Sequence, residues 1–386
     1  MNYDFDKITE RKGNGAIKWH ESGKTDVLEM GTADMDFESA PEIVEAFIER
    51  AKIGDFGYFQ KSANYYDAII NWNLQRYGWQ LTPEQINCCP GVIAGIGMCI
   101  CALSKPGDAV LMDAPYFGPI AATIEDNDRK MISVPMKKFD DCWKIDFDLF
   151  EEILIREQVK IYVLVNPHNP TGKVYARAEL EKIAEICENH GVYVISDEVH
   201  GNIIYDGSLV PYTSVAEAAK RHGIVVTSVT KGFNLQGLCY GLVIIENPEL
   251  MERYKVELHR FDFDYSSNVF STTAVEAAYT GGSKWLQSVT GYLKKNRDYA
   301  MSYIQKELPS IKVIAPQASY LLWLDCRSMN MDEDALKTFF LDKCKVGLNY
   351  GSKFGTEGAG YVRLNFACPM SILREALERI KTNLLP

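Results

Sequence analysis

The chain lacks several features that would have settled its class at once. Its ten cysteines include no Cys-x-x-Cys pair: Cys88 and Cys89 are adjacent, and Cys99 and Cys101 lie one residue apart. Neither spacing is a zinc knuckle or a dithiol redox motif. Basic residues are in deficit, with 41 Lys and Arg against 52 Asp and Glu and a net charge of −11. A general nucleic-acid or anionic-membrane binder needs a basic surface, so neither partner is expected. The longest apolar run, Val92 to Leu103, is too short to span a bilayer and is broken by Gly95 and Gly97. The opening MNYDFDKITERKGNG carries no apolar segment of the kind a secretory signal needs. Free thiols without an export signal point to the cytoplasm. There is no internal repeat, low-complexity tract or Pro/Gly/Ser linker. No dinucleotide fingerprint is present either: Gly95-x-Gly97-x-x-Ile100 lacks the third glycine and falls inside a helical pattern.

What is present is an ordinary globular composition, 47% hydrophobic and 24% charged, over 386 residues. Single cores stop growing at about 250–300 residues, so a large domain with a smaller companion is expected. Pro41–Ile53 reads as a helix with Ser39 as its cap, and Tyr65–Tyr77 as another closed by Gly78. From Ile86 strands and helices alternate. Strands are predicted at Ile86–Cys89, Ala109–Asp113, Met131–Pro135, Lys160–Asn166, Val192–Ser196, Ile224–Val229 and Tyr240–Glu246. Helices are predicted between them at Ile93–Ser104, Pro119–Asn127, Asp146–Glu157 and Ala176–His190. Continuous apolar strands alternating with amphipathic helices indicate an α/β fold whose mostly parallel sheet is covered on both faces. Helices dominate from Pro248 to Leu308. Short strands at Ile311–Ile314, Tyr320–Leu324 and Tyr361–Phe366 follow, with helices at Asp332–Lys345 and Ser371–Leu384. The expected division is a large domain over 41–285 and a smaller α+β domain from 1–40 and 286–386.

In an open α/β sheet, ligands bind beyond the carboxyl ends of the strands. At those ends stand Pro90-Gly91-Val92-Ile93-Ala94, Ala114-Pro115-Tyr116-Phe117, Asn166-Pro167-His168-Asn169, Asp197-Glu198-Val199-His200 and Thr230-Lys231-Gly232. Singly, each has a plain reading as a turn, a packing aromatic or a solvated charge. Together they are the equipment for an aromatic, phosphorylated, aldehyde-bearing cofactor. The amides of Val92, Ile93 and Ala94 at a helix start suit a phosphate, and the Ser228 hydroxyl could add a donor. Phe117, ahead of Tyr116, offers a ring to stack on. Asp197 would keep a ring nitrogen protonated, and Asn169 would donate to an adjacent phenolate oxygen. Lys231 supplies the amine for a Schiff base. A Schiff-base lysine with an aspartate on the pyridinium nitrogen is the arrangement of pyridoxal phosphate sites. Asp197, Glu198 and His200 could also suggest a metal, but side chains at a strand end diverge and no second histidine cluster supports them. No metal is expected.

The stretches NPHNPTGKVY, SDEVH and SVTKGFNLQGL, in that order, resemble the three landmarks of fold-type I pyridoxal-phosphate enzymes of the class I/II aminotransferase superfamily. FDKITERKGNGAIKW, TADMDF and YVRLNFACP are similar to its MalY/PatB branch, the cystathionine β-lyase-like C–S lyases. The resemblance runs essentially end to end. It implies pyridoxal 5′-phosphate as cofactor, with Lys231 as the catalytic Schiff-base lysine, Asp197 on the ring nitrogen and Asn169 on O3′. It implies Arg363 on the substrate α-carboxylate, with the backbone at Thr32–Ala33 close by. Tyr58 would reach the phosphate of a neighbouring subunit, so a homodimer with shared active sites is implied. Two positions depart from many aminotransferases: His200 stands where a tyrosine is common, and Cys239 where a phosphate-binding arginine is common. Gly31-Thr32 also replaces bulkier residues before ADMDF. The expected activity is β-elimination from cystathionine, cysteine or related S-substituted cysteines, giving a thiol, pyruvate and ammonia. Aminotransfer is the alternative, because it uses every residue named so far. An added regulatory binding role, known in the branch, is compatible with either.

Overall fold

The computed structural model describes residues 3–263 and 267–384; residues 264–266, within the stretch read as helical, lie outside it. Seven strands form the main sheet: β1 (Ile86–Cys89), β2 (Ala109–Ala114), β3 (Lys130–Pro135), β4 (Ile161–Val165), β5 (Tyr193–Asp197), β6 (Gly223–Thr227) and β7 (Gly241–Ile244). Their spatial order is β1-β7-β6-β5-β4-β2-β3. Strands β2 to β6 run parallel, while β7 is antiparallel to both β1 and β6. The apolar runs follow from burial on both faces. Along β4, Tyr162 and Leu164 join one core cluster, whereas Ile161, Val163 and Val165 join the other. With both sides covered there is no polar face to alternate with.

This parallel arrangement aims the ends of β4, β5 and β6 the same way. Chain reversal puts the starts of helices Val92–Leu103 and Gly118–Asp126 at that edge too. Gly91 is needed ahead of the first of these helices, because its φ of +104° is closed to residues with a side chain.

A second, antiparallel sheet holds β8 (Lys312–Val313), β9 (Leu321–Asp325), β10 (Asn349–Tyr350) and β11 (Tyr361–Asn365), in the order β8-β9-β11-β10. The long helix Ser283–Glu307 is joined to this unit by Asn296, whose side chain donates to the carbonyls of Phe366 and Cys368. The N-terminal segment packs there as well, with Leu28–Glu29 pairing in parallel with Val346–Gly347. That two-residue pairing has no periodic signal and was not foreseen as a strand.

Three local expectations are corrected. Ser39 does not cap the Pro41–Ile53 helix: the cap position is Ala40, and the Ser39 hydroxyl donates to the Asn234 carbonyl. The helix read at Asp332–Lys345 is α-helical only over Glu333–Lys337, then widens into a π-helical turn over Thr338–Lys343. The wider turn buries both Phe339 and Phe340, adjacent rings that an α-helix would point about 100° apart. Finally, β5 extends to Asp197, which places that side chain on the strand's last residue.

Candidate active site

A cavity of about 1190 Å³ opens at the carboxyl edge of the main sheet and is closed on its far side by β10, β11 and the residues around them. Its wall includes Val92, Ile93, Ala94, Phe117, Asn169, Asp197, His200, Lys231, Arg363 and Ala33. Tyr116 is not in that wall; its amide is held by the Phe354 carbonyl.

Lys231 lies in the short helix Thr230–Phe233 directly after β6. Its Nζ donates to the Ala33 carbonyl at 2.6 Å. Burial, and then the nearby Arg363 charge, push the amine down to about 8. A lysine so placed loses its proton far more readily than an exposed one, as an amine nucleophile or base requires. Asp197, buried at the end of β5, accepts from the Val199 amide at 3.1 Å and is pushed up to about 6 by burial. A cation facing it would restore its ionised form.

The Ala33 carbonyl receives three donors: Lys231, the Tyr320 hydroxyl at 3.1 Å and the Gln236 amide at 3.4 Å. The segment that presents it is clamped from both sides. Asn234 bonds to Met35 and Phe37, and Asn365 donates to the carbonyls of Thr32 and Asp34, both at 2.6 Å. Beneath it, Asp36 takes the fully buried Lys18 at 2.7 Å, Arg11 at 2.7 Å and the Trp19 indole at 2.9 Å.

Arg363 projects from β11, whose register sets it opposite Asn349 on one side and Trp323 on the other. Its guanidinium donates to Asn349 Oδ1 at 2.6 Å, Asn169 Oδ1 at 3.0 Å and the Gly31 carbonyl at 3.2 Å, and lies over the Phe354 ring. It is buried, its Nε has no partner, and no carboxylate pairs with it among the described residues. Burial pushes it down to about 10. Nearby Tyr320 and the Glu21 charge favour its ionised form without pairing with it, and a buried guanidinium left so is costly unless an anion arrives.

The amides of Val92, Ile93 and Ala94 precede the first helical bond, which runs from the Gly95 amide to the Gly91 carbonyl at 2.9 Å. They are therefore free donors facing the cavity. Cys239 stands beside them with no positive charge. His200 is buried, bonded through Nδ1 to the Ser319 hydroxyl at 2.9 Å, and held neutral by burial and then by the Lys231 and Arg363 charges.

Two of the expected residues lie elsewhere. Ser228 is buried behind the wall, and its hydroxyl donates to the Tyr240 carbonyl at 2.6 Å. Its proton is thus committed within the chain. Tyr58 is 95% exposed and does not reach the cavity of its own chain. Glu198, next to Asp197, turns away from the cavity to accept from Ser196 and from the Tyr212 amide. Sequence reasoning missed Glu21, Asn349, Lys353 and Phe354, which also line the cavity. They come from a two-residue strand and short turns where no period or motif singles out one residue.

The arrangement brings an amine of lowered basicity, a buried carboxylate, free helix-start amides and an unpaired guanidinium around one space. Comparison with known proteins agrees with it. The chain is 36% identical over 386 residues to the cystathionine beta-lyase PatB of Bacillus subtilis, covering 99% of this chain and 100% of that protein. It is 34% identical to the protein MalY of Escherichia coli, covering 97% of each. It superposes on the PLP-bound C–S lyase of Staphylococcus hominis with a TM-score of 0.94 at 29% identity, covering 100% of this chain and 99% of that one. Residues 25–380 match the model of the aminotransferase class I and II family, and the chain belongs to that family.

Proposed function

We propose that the protein is a pyridoxal 5′-phosphate-dependent carbon–sulfur β-lyase acting on cystathionine, cysteine or related S-substituted cysteines. The observation that carries this is the juxtaposition of Lys231 and Arg363. A weakened amine and an unpaired buried guanidinium lie against carbonyls of one short segment, Ala33 and Gly31. That is a seat for an α-amino acid.

The residues fit the cofactor. The amides of Val92, Ile93 and Ala94 would hold the phosphate, and Asp197 would serve the ring nitrogen. Asn169 serves O3′, with Phe117 and His200 beside the ring. Ser228 supports the phosphate loop by fixing the Tyr240 carbonyl rather than by donating to the ligand. When bound, the cofactor supplies the electron sink that acidifies the substrate Cα proton.

Arg363 grips the α-carboxylate through a bidentate fork, its Nε supplying a donor that the protein leaves unused. The Ala33 backbone holds the Lys231 amine beside the same carboxylate. Lys231 Nζ would hold the cofactor's aldehyde and would serve as general base for the Cα proton. The Cβ–S bond breaks, the thiol leaves, and the remaining aminoacrylate hydrolyses to pyruvate and ammonia. Asp197, ionised, would keep the ring nitrogen protonated.

The domain division at about residue 285 belongs to this reading: the cofactor seat comes from 41–285, and Arg363 and Ala33 from 286–386 and 1–40. So does a homodimer. Val44, Ile48, Ile53 and Phe56 leave an apolar strip exposed on and after the Pro41–Ile53 helix, leading to Tyr58. A strip of this kind suits a subunit interface, and Tyr58 then reaches the partner's phosphate. Ten unpaired cysteines accord with a reducing, cytoplasmic setting.

The test is incubation with L-cystathionine in the absence of any keto acid. Stoichiometric pyruvate and free thiol establish elimination. Amino transfer only after a keto acid is added makes the reaction aminotransfer on the same cofactor.

A further inference from the structure

Two charged side chains line the cavity without a part in the chemistry above, Glu21 and Lys353. Glu21 follows the turn Ile17–His20 and reaches over the segment that carries Ala33. The Thr32 hydroxyl donates to its Oε1 at 2.6 Å. Its other oxygen, Oε2, lies close against Gly31. A Cβ on Gly31 would come within 2.9 Å of Glu21 Oε2 and within 2.9 Å of Asn349 Nδ2. Gly31 is also the residue whose carbonyl receives Arg363, and Asn349 is the second partner of that guanidinium. The Glu21 carboxylate therefore lies one residue away from the seat of the substrate carboxylate. Among the described residues no cation lies within ion-pair distance of it, although its charge favours the charged form of Arg363, and no hydrogen bond engages Oε2.

We propose that Glu21 is a specificity-determining residue, whose carboxylate receives an ammonium or similar cationic group carried on the substrate's side-chain substituent. This rests on reading the cavity as an α-amino-acid site. The substrate's own amine is directed to Lys231 and its carboxylate to Arg363, so the side chain is the part left to meet Glu21. A second carboxylate arriving there would be repelled, and a neutral alkyl end would leave Glu21 unpaired. An ammonium end donates to the open oxygen. Lys353 stands on another part of the wall, its backbone carbonyl close to Gly118.

The test compares two amino acids of equal side-chain length that have no Cβ leaving group, L-lysine and L-2-aminoheptanoic acid. Each is titrated calorimetrically into the holoenzyme, wild type and Glu21→Gln. Partly exposed ion pairs are worth up to about 1 kcal/mol, so L-lysine should bind about fivefold more tightly to the wild type. The preference should fall to about one in Glu21→Gln. It should also fall toward one in the wild type as ionic strength is raised from about 0.05 to about 0.5 M, a result that needs no variant. Equal binding of the two by the wild type, or a preference unchanged in Glu21→Gln, overturns the proposal. Elimination is assayed in parallel with S-(2-aminoethyl)-L-cysteine and S-propyl-L-cysteine. If neither is cleaved while the binding preference holds, the lyase reading falls and the Glu21 assignment stands. If both are cleaved with no effect of Glu21→Gln on their ratio, the Glu21 assignment falls and the lyase reading stands. Absence of binding by both amino acids overturns both.

Discussion

Consider Arg363→Met, a change that keeps most of the side-chain volume and removes the charge. Two effects on stability oppose each other. Burial lowers the guanidinium from its ordinary 12.5 to about 10, which corresponds to roughly 3 kcal/mol against keeping it charged in the fold. Removing it relieves that cost. The same change strips donors from Asn169 Oδ1, Asn349 Oδ1 and the Gly31 carbonyl, at about 1 kcal/mol each. The two sums nearly cancel, so the melting temperature should move by no more than a few degrees. Catalysis has no such cancellation. A substrate carboxylate deprived of a buried bidentate partner loses about 3–4 kcal/mol, or roughly 10²–10³ in kcat/KM. The loss should appear mainly in KM. A decarboxylated analogue, which cannot use Arg363, should react with wild type and variant at similar kcat/KM. The assay is steady-state pyruvate release with the amino acid and its decarboxylated analogue, alongside thermal melts. A fall in kcat at unchanged KM would refute the carboxylate role. A drop in melting temperature of ten degrees or more would show that Arg363 holds the two sheets together instead.

Three further outcomes follow from the same geometry. Lys231→Ala should abolish turnover and the visible absorbance of covalently held cofactor, while the Ala33 carbonyl keeps Tyr320 and Gln236; residual normal turnover would exclude Lys231 as the amine. Glu198 is raised to about 8 by burial. A carboxyl raised in the fold favours the folded state at low pH, and that contribution is lost as pH rises from about 4.5 through about 8. Glu198→Gln keeps the oxygen that accepts from Ser196 and Tyr212, so urea melts should show it more stable than wild type at pH 8.5 and little changed at pH 5. Lys18→Met removes one of three donors to buried Asp36 and should destabilise by about 2–4 kcal/mol in the same assay.

The main sheet was legible because its strands are buried on both faces and read as unbroken apolar runs, with polar residues only at their ends. Lys231, Asp197 and Asn169 could be found for the same reason: each follows such a run directly. Arg363 was visible only through the resemblance of YVRLNFACP to a known pattern, since an arginine on a short strand carries no local signal. Glu21 and Asn349 had no signal of either kind. Their positions depend on contacts such as Gly31 with Arg363, 332 residues apart. Ser228 differs again: its spacing from Lys231 suggests a ligand contact, and in the fold its hydroxyl donates to the Tyr240 carbonyl.

The triply bonded carbonyl of Ala33 has a metric consequence. Lys231 sits in the short helix after β6 and Arg363 in the second sheet, yet both are tethered to the same stretch of main chain, at carbonyls two residues apart. Two residues of chain span at most about 7 Å. One short piece of main chain thus fixes the amine and the guanidinium relative to each other, so a shift of that segment would move both together.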